Sequence, residues 1–100
     1  MSSKKTMVVT ATPNPENMAD MQAYLQKVVP ILVGGGGEIV HRGKTNSAVV
    51  GDASFGMLLV MNFESEDAIK SIFDSPEYKE IIPFRDKGFK KMDVVIQDSM

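Results

Sequence analysis

The sequence predicts an α+β domain, a single antiparallel sheet with its helices gathered on one face. Three observations carry that reading. The run Gly56-Met57-Leu58-Leu59-Val60-Met61-Asn62-Phe63 is short, apolar and bounded by Ser54 and Glu64-Ser65. Such a run marks a strand apolar on both faces. Stretches of strand and helix periodicity then follow one another as strand, helix, strand, strand, helix, strand. Finally, the helices suffice to cover only one face of a sheet, so the other needs a separate cover, for which a second copy of the chain is the simplest choice.

Each element has its own justification. Thr6 to Thr12 is β-branched and stops at Thr12-Pro13-Asn14-Pro15, which makes it the first strand. Asn14 can cap free amides, Pro15 loses no needed donor at the first helical position, and Glu16 suits the positive end of the helix dipole. Met18, Met21, Leu25, Val28, Val29 and Leu32 recur at helical spacing behind that start. Pro30 is expected to kink this first helix or end it early, since it lacks an amide proton and crowds the preceding turn. The glycines Gly34 to Gly37 close the helix and turn the chain.

The second strand is expected from Glu38 to about Lys44, with Ile39 and His41 sharing one face and Val40 and Arg42 the other. Thr45 to Ala53 forms a loose connection with a turn at Gly51-Asp52, leading into the apolar third strand. Ser65 caps a second helix, with Glu66 and Asp67 in its first turn and Ala68, Ile69, Ile72 and Phe73 on its buried side. Ser75-Pro76-Glu77 repeats the start signal at once. A further short helix follows, with Tyr78, Ile81 and Ile82 inward and Pro83 as an interruption. The fourth strand runs from Met92 to Gln97, where Met92, Val94 and Ile96 alternate with Asp93, Val95 and Gln97.

That order is the split β-α-β pattern of a ferredoxin-like fold, β-α-β-β-α-β, with strands one and three central. Residues 1–100 make one such domain. A chain of this length buries roughly 60–65% of its unfolded surface. An uncovered apolar sheet face is larger than soluble monomers usually tolerate. Two sheets packed face to face across a two-fold axis remove it, so a homodimer is expected.

Composition narrows the function classes. The chain is 43% hydrophobic and 24% charged, with a net charge of −2 and no cysteine. No basic stripe is available for phosphates, so nucleic acid is not an expected partner. Without cysteine there is no disulfide, thiolate nucleophile or structural zinc of the usual kind. Met1-Ser2-Ser3-Lys4-Lys5 is followed by too short and too polar a stretch for a signal peptide, and no run reaches transmembrane length. A cytoplasmic protein without membrane contact is therefore expected.

Several residues together resemble a known family. Gly35-Gly36-Gly37 precedes the second strand, Phe63-Glu64-Ser65 ends the third, and Ser75-Pro76-Glu77-Tyr78 is followed by Arg85 before the fourth. Over nearly the whole chain this is similar to an uncharacterised family of small proteins in the dimeric α+β barrel superfamily. The resemblance implies a ferredoxin-like protomer and a homodimer whose two sheets form a barrel with pockets. It implies no established reaction. The wider superfamily includes cofactor-independent antibiotic-biosynthesis monooxygenases, muconolactone isomerase and heme-degrading monooxygenases. The last rely on an Asn, Trp and His set, and this chain has no Trp. Where relatives often carry an acidic residue before a glycine, and an arginine entering strand three, this chain has Val50-Gly51 and Phe55-Gly56.

The candidate site residues are Tyr78, Arg85, His41 and Asn62. A phenol and a guanidinium near the end of the sheet could orient a carboxylate, with Arg85 giving bidentate bonds. The structural alternative packs Tyr78 in the core and pairs Arg85 with Glu77 or Asp86. His41 is the only histidine and the only ordinary near-neutral titrating side chain. Alone it makes no metal site. Asn62 interrupts an apolar strand, so its amide needs partners in a pocket or a dimer contact. The glycine run with Gly43-Lys44-Thr45 does not make a phosphate loop. A glycine is needed where Glu38 stands, and the order is helix to strand. No metal and no bound cofactor are expected. The reading that follows is a homodimer binding a small apolar or aromatic acid between sheet and helices. The alternative is a cofactor-independent monooxygenase- or isomerase-like enzyme acting on a small organic substrate.

Overall fold

The computed structural model of the protein describes residues 4–52 and 54–98; Met1–Ser3 of the signal-peptide expectation and Ala53 of the expected connection lie outside them. The elements are β1 (Lys5–Pro13), a 3₁₀ turn (Pro15–Asn17), α1 (Met18–Gly34), β2 (Glu38–Lys44), β3 (Met57–Phe63), α2 (Glu66–Phe73), α3 (Pro76–Gly88) and β4 (Phe89–Gln97). The strands form one sheet in the order β2-β3-β1-β4, with every neighbouring pair antiparallel. This is the ferredoxin-like α+β fold, with β1 and β3 central as expected. Its extents of 44 × 37 × 15 Å are those of a slab, one sheet and one helix layer deep. No helix among the described residues is long and apolar enough to cross a membrane.

The helix starts follow their sequence signals. Asn14 Oδ1 accepts from Glu16 N at 3.1 Å, Ser65 Oγ from Ala68 N at 3.1 Å, and Ser75 Oγ from Tyr78 N at 3.2 Å. Each occupies a donor that the first helical turn leaves free. The stop of α1 is equally local. Gly37 N donates to Leu32 O at 2.9 Å and Gly36 N to Val33 O at 3.0 Å. Gly36 takes a φ of 97°, where a Cβ would clash with its own backbone.

Neither proline ends its helix, against the early end expected at Pro30 and the interruption expected at Pro83. α1 continues through Pro30 to Gly34, and α3 continues through Pro83 to Gly88. Both prolines are exposed, as are Gln26 and Lys79 four residues before them. The carbonyls that lose a partner there can be served by water, and packing of the opposite helix face keeps the helix going.

Strand β2 departs from simple alternation. Ile39 pairs with Met61, but Val60 pairs with His41, so a bulge at Val40 breaks the period. Ile39 and His41 therefore lie on opposite faces, against the expectation that they share one. Arg42 and Lys44 come back to the face of Ile39, opposite Leu59 and Met57.

The registers lay out both faces of the sheet. On the helix side, cross-strand rows run Ile39–Met61–Met7–Ile96, Arg42–Leu59–Val9–Val94 and Lys44–Met57–Ala11–Met92. On the other side they run Glu38–Asn62–Thr6–Gln97, His41–Val60–Val8–Val95 and Gly43–Leu58–Thr10–Asp93. The core lies wholly on the helix side, where Met7, Met61, Phe63, Leu32, Ile69 and Tyr78 are its most enclosed members. Gly88 lets α3 close on α1. A Cβ there would stand 2.5 Å from the backbone nitrogen of Met21.

Candidate ligand pocket and tyrosine chain

The helix layer does not seal against the sheet everywhere. Between the rows Arg42–Leu59–Val9–Val94 and Lys44–Met57–Ala11–Met92 and the underside of α1 lies a cavity of about 220 Å³. Its roof comes from Tyr24, Val28 and Leu32 of α1, and Phe73 and Phe89 also line it. The wall is mostly aliphatic and aromatic, which suits an apolar guest. The charged residues on it are Arg42 and Lys44, and no carboxylate lines it. Neither cation makes an ion pair with a described residue. The cavity therefore favours an anionic group at its β2 side.

A hydrogen-bond chain runs through the core beside it. Arg85 Nη1 donates to Tyr78 Oη at 3.0 Å, Tyr78 Oη lies 2.9 Å from Tyr24 Oη, and Tyr24 Oη lies 3.8 Å from Met92 Sδ. Tyr78 is 1% exposed and Tyr24 4%. Phe73 meets the Tyr78 ring edge-on with centroids 4.6 Å apart, and Phe89 meets Tyr24 likewise at 5.6 Å. Edge-on packing of this kind fixes both rings and so aims both hydroxyls. Burial, and then the Tyr78 hydroxyl beside it, push the Tyr24 phenol far above its ordinary value of 10.0. Tyr24 is accordingly a neutral donor, not a base.

The four residues singled out from sequence do not converge. Tyr78 and Arg85 are brought together, but Tyr78 is sealed in the core and Arg85 opens onto a neighbouring cavity of about 480 Å³ that shares Phe89, Met92 and Val94. Arg85 also pairs with Asp86 at 3.2 Å, one of the two structural partners considered for it. Asn62 is on the opposite face of the sheet, where its Oδ1 accepts from Thr6 Oγ1 at 2.8 Å. His41 is also on that face, exposed, with its ring over Gly43. The physical reason is register. Asn62 is one residue out of phase with Met61 and Phe63, and the bulge at Val40 sends His41 outward.

Sequence reading missed Tyr24, Arg42 and Lys44. Tyr24 sits between Met21 and Val28 at helical spacing, the place for a buried ring whose hydroxyl needs a partner. That signal was present. The inward turn of Arg42 and Lys44 depends on the bulge, which no residue type announces. Among the described residues, no cluster of His, Asp and Glu could hold a metal ion.

Several solved structures share this fold. A protein of unknown function from Rhodopseudomonas palustris superposes with a TM-score of 0.84 at 15% identity, covering 100% of this chain and 85% of that one. A dimeric protein of unknown function with a ferredoxin-like fold from Bacteroides fragilis gives 0.69 at 12% identity, covering 97% of each chain. A candidate antibiotic biosynthesis monooxygenase from Nitrosomonas europaea gives 0.70 at 10% identity, covering 100% of this chain and 93% of that one. Identities this low speak for the fold alone. Among curated proteins, none matches the sequence. Residues 6–100 do match one family model, so the chain belongs to the DUF1330 family, a domain of unknown function.

Proposed function

We propose that this protein is a homodimer that binds a small apolar or aromatic acid in the cavity between sheet and α1, with the acid's carboxylate at Arg42 and Lys44. The observation that carries the reading is the make-up of the cavity wall, apolar throughout except for two unpaired cations and one buried phenol. An apolar body gains from leaving water, and a carboxylate meets a guanidinium in a bidentate fork. A cavity of about 150 Å³ holds a benzene ring, so one of about 220 Å³ has room for a substituted ring.

The dimer half of the proposal rests on the open face. Its middle row, His41–Val60–Val8–Val95, puts three valines side by side with Leu58 next to them, and no element among the described residues covers it. A second copy placed face to face covers these residues with the same residues, as a two-fold contact requires. The Bacteroides fragilis relative is itself described as dimeric.

Binding is tested by calorimetric titration of wild type, Arg42→Ala and Lys44→Ala with benzoate and its para-alkyl derivatives. Wild type binds, and each variant loses about tenfold in affinity, the worth of one charge-assisted bond. Equal affinity in all three proteins refutes the carboxylate placement. A second reading, a monooxygenase- or isomerase-like enzyme, draws on the Tyr24 hydroxyl, a neutral donor on the cavity wall able to stabilise a developing oxyanion. Mass and NMR spectra of the recovered acid separate the two. An unchanged ligand keeps the binding reading, and an altered one selects the enzyme.

A further inference from the structure

A hydrogen-bond chain has a direction, and here the donors set it. A guanidinium carries no acceptor, so Arg85 Nη1 must donate to Tyr78 Oη. The Tyr78 proton then needs an acceptor, and in this sealed position the one it meets is Tyr24 Oη at 2.9 Å. Tyr24 is left holding its own proton, and what remains for it is Met92 Sδ at 3.8 Å. A thioether is a weak acceptor. The reverse direction would strand the Tyr78 proton with no acceptor among the described residues, a costly arrangement for a buried hydroxyl. Each bond in such a chain polarises the next, so the Tyr24 O–H is the strengthened end of a relay. Tyr24 is 4% exposed and lines the cavity, and among the described residues its proton meets only sulfur.

The placement of this donor relative to the cations sets a length. Arg42 and Lys44 are on β2 and Met92 is on β4, the two outer strands of the sheet. Three strand spacings separate them, roughly 14 Å. Arg42 and Lys44, both solvent-exposed, line the cavity on one side, and Tyr24 meets Met92 on the other. What is left between them is about the span of one para-substituted ring.

We propose that Tyr24 is the ligand-orienting donor of this cavity, and that its guest is an aromatic acid bearing a second acceptor, a ketone or amide carbonyl, at the end opposite its carboxylate. The inference rests on the acid-binding reading above. The guest carbonyl takes the Tyr24 proton from Met92 Sδ, exchanging a poor acceptor for a good one. Arg85 and Tyr78 act as positioning residues, which touch no guest and serve by holding and polarising Tyr24. Because the phenol stays protonated far above neutral pH, the donor is present under all ordinary conditions.

The probes are para-acetylbenzoate and para-isopropylbenzoate, alike in shape and differing in the carbonyl. Calorimetry on the full chain gives the ratio of their affinities. Tyr24→Phe is expected to weaken para-acetylbenzoate about tenfold while leaving para-isopropylbenzoate within about twofold. Met92→Leu keeps the apolar bulk and removes the competing acceptor, so it raises the preference for the ketone. If both acids bind wild type and Tyr24→Phe changes neither, or weakens both alike, this inference falls while the acid-binding reading stands. If neither acid binds wild type, both fall together. Should Tyr24→Phe fail to fold, Met92→Leu decides alone, since an unchanged preference overturns the proposal and a raised one supports it.

Discussion

The two faces of this sheet share a backbone and differ in almost everything else. The helix face carries Met7, Met61, Phe63 and Ala11, sealed under α1, α2 and α3. The open face carries valines and a leucine set among Thr6, Thr10, Asn62, His41 and Asp93. Adjacent residues of β1 thus meet opposite physics. Met7 is 0% exposed inside the core, and Val8, half-buried, faces away from the helices. The lesson is that one face holds the chain together, while the other adds nothing to the core.

Adjacent substitutions break the comparison most sharply. Met7→Asp places a carboxylate where it finds neither water nor a partner, and a loss above about 4 kcal/mol is expected. Loss of near-ultraviolet circular dichroism and of a cooperative melt would report it. Gly88→Ala comes next. Its Cβ would meet the backbone of Met21 and push α3 from α1, costing about 1–3 kcal/mol in urea unfolding. An unchanged midpoint would mean that the helix pair slides apart freely.

Tyr78→Phe, in the middle of the relay, is expected to cost about 1–2 kcal/mol, because Arg85 and Tyr24 both lose a partner. A double-mutant cycle with Tyr24→Phe should show coupling of about 1 kcal/mol. Alkali adds a further check. Tyr24 has a raised pKa when folded, so its contribution is fully present below its unfolded value of 10.0 and declines as pH rises past it. Wild type should lose more stability than Tyr24→Phe between pH 10 and 11. Equal losses would show that the phenol is not buried as described.

Val8→Asp has the smallest expected effect on the protomer, about 1 kcal/mol, as for a half-buried strand position outside the core. Its effect on association is large. Sedimentation equilibrium should give a dimer for wild type and a monomer for this variant. A wild-type monomer would remove the partner from the comparison and leave the open face merely solvated.

Much of this was legible in the sequence. Ser65, Ser75 and Asn14 each announced a helix start with a donor to satisfy, and alternation placed Met92, Val94 and Ile96 on one face. The apolar run of β3 correctly implied a central strand. The prolines misled because propensity describes an isolated helix, while Pro30 and Pro83 lie where water can take over the lost bonds. The charged wall of the cavity was illegible for a subtler reason. Its cations depend on one unpaired residue in an edge strand, and the energy of a bulge lies in pairing, not in the identity of Val40.

That irregularity has a consequence for how such a scaffold can change. An edge strand is bonded along one side only, so it absorbs an extra residue without disturbing the core beneath. Here the extra residue is Val40, and His41 still falls opposite Val60 and Arg42 opposite Leu59, as they would in a regular strand without it. The cavity wall therefore keeps its guanidinium while the margin of the sheet gains or loses a residue.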